Sequence, residues 1–349
     1  ENAALKAKLE SGEALFGTID TYLLYRLTGG KTFATDSTNA SRTLLYNINT
    51  LSWDSELCKL FGVPIRALPA VRQSSARFGE CTDSTLPAGT PIAGVMGDSQ
   101  AALFAHRCFE PGMAKVTLGT GSSLLLNTGA HLPATGIRTL AWSRDGAATY
   151  SVEGIISYSA ATIGWLKNQL GLIRSADETE AAARAVADNG GVYLVPAFNG
   201  LAAPHWSPKA RAAIVGLSAA STRNHVIRAA LESIAFQVKD ALDSMIGDSR
   251  VSLTHLTADG GASRNGFLMQ LMADLLGTPI TVCDLPDFSP LGAAYAGMLA
   301  MGLCNSLDDL HRLPMRERTY TPAMSRAAAA ELHAGWTNAV RQVLAGVSG

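Results

Sequence analysis

From residue 91 onward, apolar runs of strand length alternate with segments of helical spacing, and this alternation restricts the fold more than any other feature of the chain. Residues 91–96 read as a buried strand that delivers Asp98 at its carboxyl end, and residues 101–107 as a short helix beyond it. Residues 114–118, 124–127, 149–152 and 192–196 read as further strands. A helix is expected at 155–170, and a long one at 225–245, where Ile227, Leu231, Ile234, Val238 and Met245 form one stripe. Ser175 and Glu178 have capping-box spacing for a helix reaching Val186. Upstream, Ile19, Leu23, Leu24 and Leu27 share a helical face before a Gly29-Gly30 stop, and residues 53–61 read as a helix ending at Gly62. Strands interleaved with helices argue for an α/β fold and against a bundle or sandwich. The 349 residues, 47% hydrophobic, suffice for two domains, and the change of character after Glu110-Pro111-Gly112 puts the boundary near Cys108.

Composition narrows the function classes. The formal charge is −1, with no basic block or aromatic-basic interleaving, so nucleic acid is not the expected partner. The five cysteines are odd in number and scattered, without the spacing of a zinc site or a disulfide framework, which reads as cytoplasmic. No apolar run reaches the roughly 18 residues that span a bilayer, so no membrane role is expected. Residues 1–10 are charged and Ala-rich, unlike a signal peptide.

Three motifs carry chemistry. Gly97-Asp98-Ser99-Gln100 places a lone acid after an apolar run, and a positioned carboxylate can take the proton of a hydroxyl nucleophile. Gly119-Thr120-Gly121 is a turn whose backbone N–H groups can converge on an anion. Asp259-Gly260-Gly261 lies between a short strand and the helical spacing of 266–276, a passage that brings backbone near a flat or anionic ligand. Singly, each is more often turn chemistry. Together they point to phosphoryl transfer to a hydroxyl.

The chain resembles the FGGY carbohydrate kinases, and within them most closely the glycerol kinases. The resemblance rests on Gly17-Thr18-Ile19-Asp20, residues 36–44, Leu51-Ser52-Trp53-Asp54, residues 97–104, Gly112-Met113-Ala114-Lys115, Pro196-Ala197-Phe198, residues 212–232 and residues 259–265. It implies an actin-like ATPase, ribonuclease H-like fold with two similar domains around a cleft. Residues 1–107 would be the carboxyl-terminal part of the first, substrate-binding domain, and 108–349 the second, nucleotide-binding domain. By resemblance Asp98 is the catalytic base, Gly119, Thr120 and Gly121 hold phosphate, and Gly260, Gly261 and Asn265 contact adenosine. The implied cofactors are ATP and Mg²⁺, the reaction is γ-phosphoryl transfer to a primary hydroxyl of a small polyol or sugar, and the implied assembly is a homodimer or homotetramer.

Departures from the family pattern sharpen these expectations. Ser99 stands where glycerol kinases usually have Gln, and Ser123 where they have a Phe against the glycerol carbons, which suits a substrate larger than glycerol. Ala160 and Gly164 replace Gly and Gln on the adenine side, removing a side-chain hydrogen bond to the base. The sequence given opens without the family's Asp-x-Gly-Thr-Thr loop and Arg-Glu pair, so residues 1–349 alone are expected to be inactive. The competing classes are a non-catalytic ATP- or sugar-binding regulator on the same fold and an actin-like assembly protein. Asp98 speaks against the former and residues 212–232 against the latter.

Other conspicuous residues have plainer readings. Trp142, Trp165 and Trp206 read as core, His106 as a surface or satisfied core histidine, and Cys108 as packing. Ser289-Pro290 reads as a helix start, with Gly292 among small residues for close packing.

Overall fold

A computed structural model describes residues 2–84 and 86–346; Glu1 and residues 347–349, the outer limits of the two expected spans, lie outside it. Its centre is a seven-stranded mixed sheet built from β1 (Met113–Leu118), β2 (Ser122–Gly129), β3 (Ile137–Arg144), β4 (Ala147–Ile156), β5 (His255–Asp259), β6 (Ile280–Cys283) and β7 (Glu317–Tyr320). The spatial order is β7-β6-β5-β1-β2-β4-β3. β1 pairs parallel with β5 and β5 parallel with β6, while β1-β2, β2-β4, β4-β3 and β6-β7 are antiparallel. Alternation along β1 sends Ala114, Val116 and Leu118 to one face and Lys115 and Thr117 to the other, so the two faces differ in chemistry.

The apolar face carries the main core. Helix α4 (Arg223–Ser249) buries the expected stripe of Ile227, Leu231, Ile234, Val238 and Met245, and α5 (Gly266–Leu276) adds Leu268, Met269, Met272 and Leu275. Each such side chain contributes about 1.5–3 kcal/mol on burial, more than helix propensity supplies, so packing decides these helices. Asn265 caps α5 at Leu268 N–H and Gly277 ends it in the left-handed region. On the opposite face lie α1 (Asp98–Ala105) and α6 (Ser289–Ala300), joined through Leu103, Phe104, Leu125, Trp142 and Tyr295. A Cβ on Gly292 of α6 would overlap the Ala101 carbonyl, which lets α1 and α6 lie in direct backbone contact.

The first part of the chain forms only two-stranded ladders among its described residues. Ala34–Asp36 pairs parallel with Ala70–Arg72, and Arg77–Glu80 antiparallel with Pro91–Ala93. The strand expected over 91–96 therefore stops at Ala93, because Gly94 turns to φ +78° against Gly297 of α6. The Ile19–Leu27 helix buries Leu24, whereas Ile19 and Leu23 are exposed. Ser55–Phe61 is helical, capped by Asp54 and ended by left-handed Gly62.

Three further boundaries differ from expectation. β4 runs on to Ile156, so the helix after it is only Ala161–Asn168 (α2). Helix α3 (Glu178–Arg184) begins after Asp177 with no side-chain cap; the Glu178 carboxylate instead accepts from Arg174 N–H, and Ser175 offers its carbonyl. Strand β3 has no counterpart in the sequence reading; it is an edge strand, with Arg138 and Arg144 near its ends.

Candidate active site

The glycine turn after β1 is held by its carbonyls. Gly119 and Thr120 C=O accept from Ala160, Ser159 and Ala161 N–H at 2.8–3.2 Å, which fixes the turn onto the start of α2. Thr120 is exposed, and among the described residues the Thr120 and Gly121 N–H groups have no acceptor. A Cβ on Gly121 would sit 2.5 Å from the Ile156 carbonyl, so the turn also packs closely on β4. Gly260, at φ +88°, passes as closely over β1, where a Cβ would be 2.5 Å from Leu118 O.

These contacts enclose a cavity of about 630 Å³ bordered by the glycine turn, α2, α3 and the loop that starts α5. It gathers Gly119, Thr120, Ala160, Gly164, Gly261 and Asn265 of the expected nucleotide residues. Gly164 and Gly261 open onto it, since a Cβ on either would meet nothing within 4 Å. Gly121 and Gly260 stand behind this lining, and Gly260 with Gly261 borders a neighbouring hollow. Asn265 is occupied at both ends of its amide: Nδ2 donates to Thr179 Oγ1 at 3.1 Å and Oδ1 caps α5. Sequence reasoning missed Asp177, Thr179, Glu180 and Arg264, which also border the cavity. Glu180 accepts from Gly266 N–H at 2.9 Å, tying α3 to the start of α5; no motif marks it, because the two are 86 residues apart.

Asp98 lies outside that cavity lining, exposed at the first turn of α1, which packs across β1, β2 and β3. Its Oδ1 accepts from Ser99 N–H at 2.6 Å, and Oδ2 has no partner among the described residues. The loop that carries it is anchored from a distance. Gly97 N–H donates to Thr38 Oγ1 at 2.8 Å, and the Thr38 hydroxyl donates to buried Asp36 at 2.8–2.9 Å. Ser74 also donates to Asp36, and Ser37 meets Ser143 of β3 at 2.7 Å, so a buried polar clasp fastens residues 36–38 to the sheet. Burial pushes the Asp36 carboxyl above the usual range, against donors from Ser74, Asn39 and Thr38. Thr38 and Asp36 thus anchor the loop before Asp98, and the sequence reading left both without a role.

Beneath α1 the sheet face carries buried polar side chains beside the apolar cluster of Leu125 and Trp142. Lys115 is buried and donates to Thr117 Oγ1 at 3.0 Å. His106, at the end of α1, meets Asp259 Oδ2 through Nε2 at 2.7 Å and stacks on Phe288 at 4.0 Å. It is a core histidine, with Nδ1 unpartnered among the described residues. Burial raises the Asp259 carboxyl, but His106, then Thr117 and Lys115, outweigh it and hold it below the usual value. Ser123 Oγ, beside Thr117 in register, is also buried without a partner. Of the tryptophans, Trp142 is core, Trp165 is half-buried, and Trp206 is 62% exposed, contrary to its expected place. Cys108 packs as expected, burial pushing its thiol up to about 12, and all five cysteines are free and buried.

Comparisons with known proteins show the family and the fold. Residues 2–105 match the N-terminal domain, and 114–301 the C-terminal domain, of the FGGY family of carbohydrate kinases. The chain is 47% identical over 341 residues to a glycerol kinase of Desulfitobacterium hafniense, covering 97% of this chain and 69% of that protein. It is 46% identical over 343 residues to a glycerol kinase of Shewanella amazonensis, with the same coverage. The crystal structure of Plasmodium falciparum glycerol kinase with ADP superposes with a TM-score of 0.93 at 34% identity, covering 99% of this chain and 70% of that one. A xylulose kinase from Lactobacillus acidophilus, 22% identical over 94% of this chain and 67% of its own, shares the fold with a TM-score of 0.82.

Proposed function

We propose that this chain, which belongs to the FGGY family of carbohydrate kinases, uses Asp98 as proton acceptor and the cavity beside the Gly119–Gly121 turn as its nucleotide site. It is an ATP-dependent kinase of a small polyol or sugar, glycerol kinase-like in sequence and fold. The observation that carries the site reading is the cavity that gathers Gly119, Thr120, Ala160, Gly164, Gly261 and Asn265 from three separate segments. Its open glycine walls suit a flat base, and the free N–H groups of the turn suit phosphate oxygens. Bound ATP would supply the γ-phosphoryl group, and Mg²⁺ would supply neutralisation of phosphate charge.

Asp98 performs the proton step. Ser99 N–H holds one carboxylate oxygen at 2.6 Å and leaves the other for the acceptor hydroxyl, whose proton it takes as transfer proceeds. Thr38 and Asp36 fix the loop that aims it, and Gly292 keeps α6 close enough to hold α1 in place. The division of the chain at 107/108, a cytoplasmic location and a homodimer or homotetramer belong to the same proposal. So does substrate size: Ser123 stands where glycerol kinases have a Phe against the glycerol carbons, which favours a four- or five-carbon, more hydroxylated acceptor over glycerol.

A screen of the full-length protein against three- to six-carbon polyols and sugars tests this. The expected result is ATP-dependent transfer with the highest kcat/KM on an acceptor of four or five carbons. Equal or better use of glycerol overturns the size assignment, and no transfer to any of them overturns the kinase reading.

A further inference from the structure

Arg42 and Glu153 join the two family domains through a single contact. Arg42 Nη1 donates to Glu153 Oε2 at 2.8 Å; the Glu153 side chain is 10% exposed and that of Arg42 48%. Arg42 falls within the match to the N-terminal family domain and Glu153 within the match to the C-terminal one. Strand register sets Glu153 between Leu125 of β2 and Ile137 of β3, on the sheet face under α1. A carboxylate among apolar neighbours needs a counter-charge or donors, and among the described residues Arg42 is the one group that hydrogen-bonds it. The pair also stands between the two residues expected at the acceptor. Ser123 lies two positions from Leu125 along β2, which makes it the diagonal neighbour of Glu153, at roughly 7–8 Å. Arg42 ends the short helix Ser37–Ser41, one helical turn after Thr38, whose Oγ1 accepts from Gly97 N–H next to Asp98. A chain of contacts therefore runs from Asp98 through Thr38, Arg42 and Glu153 to Ser123. Other contacts already hold this part of the chain to the sheet: Ala40, Tyr46 and Leu140 are buried together, and Tyr150 of β4 donates to the Ile48 carbonyl at 2.9 Å. Holding the domains together does not by itself require an ion pair here.

We propose that Arg42 and Glu153 are a positioning pair for phosphoryl transfer: their contact fixes the short helix that carries Thr38 against β2 and β4, and so sets the distance between the Asp98 carboxylate and the acceptor wall at Ser123. The proposal rests on the reading of Asp98 as proton acceptor. Neither residue touches the reacting atoms; both act through Thr38 and Gly97.

In the full-length protein, the double variant Arg42→Met/Glu153→Met separates this from a structural role, because removing both charges strands neither. It is expected to lower kcat by about 10- to 100-fold, with acceptor KM and calorimetric ADP affinity within about threefold of wild type and the melting temperature unchanged or higher. The contact is one N–O pair rather than a bidentate fork, so an ammonium can replace the guanidinium, and Arg42→Lys is expected to keep kcat within about threefold of wild type. Three results overturn the proposal: a double variant with kcat within about twofold of wild type, Arg42→Lys as slow as the double variant, or loss of kcat together with ADP affinity and melting temperature. Should the double variant not fold, Glu153→Gln removes the charge and keeps the shape. Lower kcat at unchanged ADP affinity then supports the proposal, and unchanged kcat overturns it. Wild type that binds ADP without transfer to any polyol or sugar sinks the underlying kinase reading instead, and this proposal with it.

Discussion

Asp98 was visible in the sequence as a carboxylate after an apolar run, but what aims it was not. Thr38 reaches Gly97 across 59 residues, and its own partner Asp36 lies in a polar stretch without periodicity. Local pattern cannot report such a contact, because nothing in either segment alone requires the other. Its energetic role is testable. Thr38→Val keeps the shape but removes both the acceptor for Gly97 N–H and the donor to Asp36. Steady-state kinetics should show kcat lower by about 10- to 100-fold, the range that a small misplacement of a reacting group produces. ADP affinity should hold, since the nucleotide cavity contains neither residue. A kcat within twofold of wild type would deny the clasp any part in aiming Asp98. Glu232 shows the opposite case of a motif residue whose work is structural. It is buried, binds Arg228 at 2.7 Å and Asn189 at 3.0 Å, and so holds α4 to the chain before it.

At the scale of elements, long periodic helices were legible and short irregular ones were not. The α4 stripe follows directly from 3.6-residue spacing, whereas β3 has polar ends and lies at the sheet edge, where alternation is weakest. Between α4 and α7 (Arg326–Ala345), one carboxylate lies beside the stacked rings of Phe236 and Trp336. Asp240 of α4 accepts from His333 and from Trp336 Nε1, each at 2.7 Å, with His205 3.9 Å away. Burial raises its pKa, but those three partners prevail and hold it at about 2, from an ordinary 3.8. A carboxyl depressed on folding stabilises fully above its unfolded pKa and loses that contribution as pH falls through its folded value. The contribution is about 2 kcal/mol, present above roughly pH 4 and lost toward pH 2. In urea titrations across that window, the stability gap between wild type and Asp240→Asn should narrow as pH falls. A gap that stays constant would remove Asp240 from the account.

For the whole molecule, the fold class was written in the alternation of strands and helices, and the family in blocks spread along the chain. The cavity itself was only partly legible. Glycines of the turn and of the Gly260-Gly261 passage advertise close backbone approach, but Asp177, Glu180 and Arg264 join the wall through α3 and the start of α5 without any motif. One face of the sheet is apolar and packs on α4 and α5, and the other, where Lys115 and Thr117 stand beside Leu125, lies under the helix that carries Asp98. Nucleotide binding and proton removal should therefore be separable by mutation. The most direct test is Asp98→Asn in the full-length protein, with phosphoryl transfer to the best polyol and ADP affinity measured on the same preparation. Turnover should fall by about 10²–10⁴-fold, as expected for loss of a general base, with ADP affinity unchanged. Turnover equal to wild type, or loss of ADP binding in parallel with it, would contradict that separation.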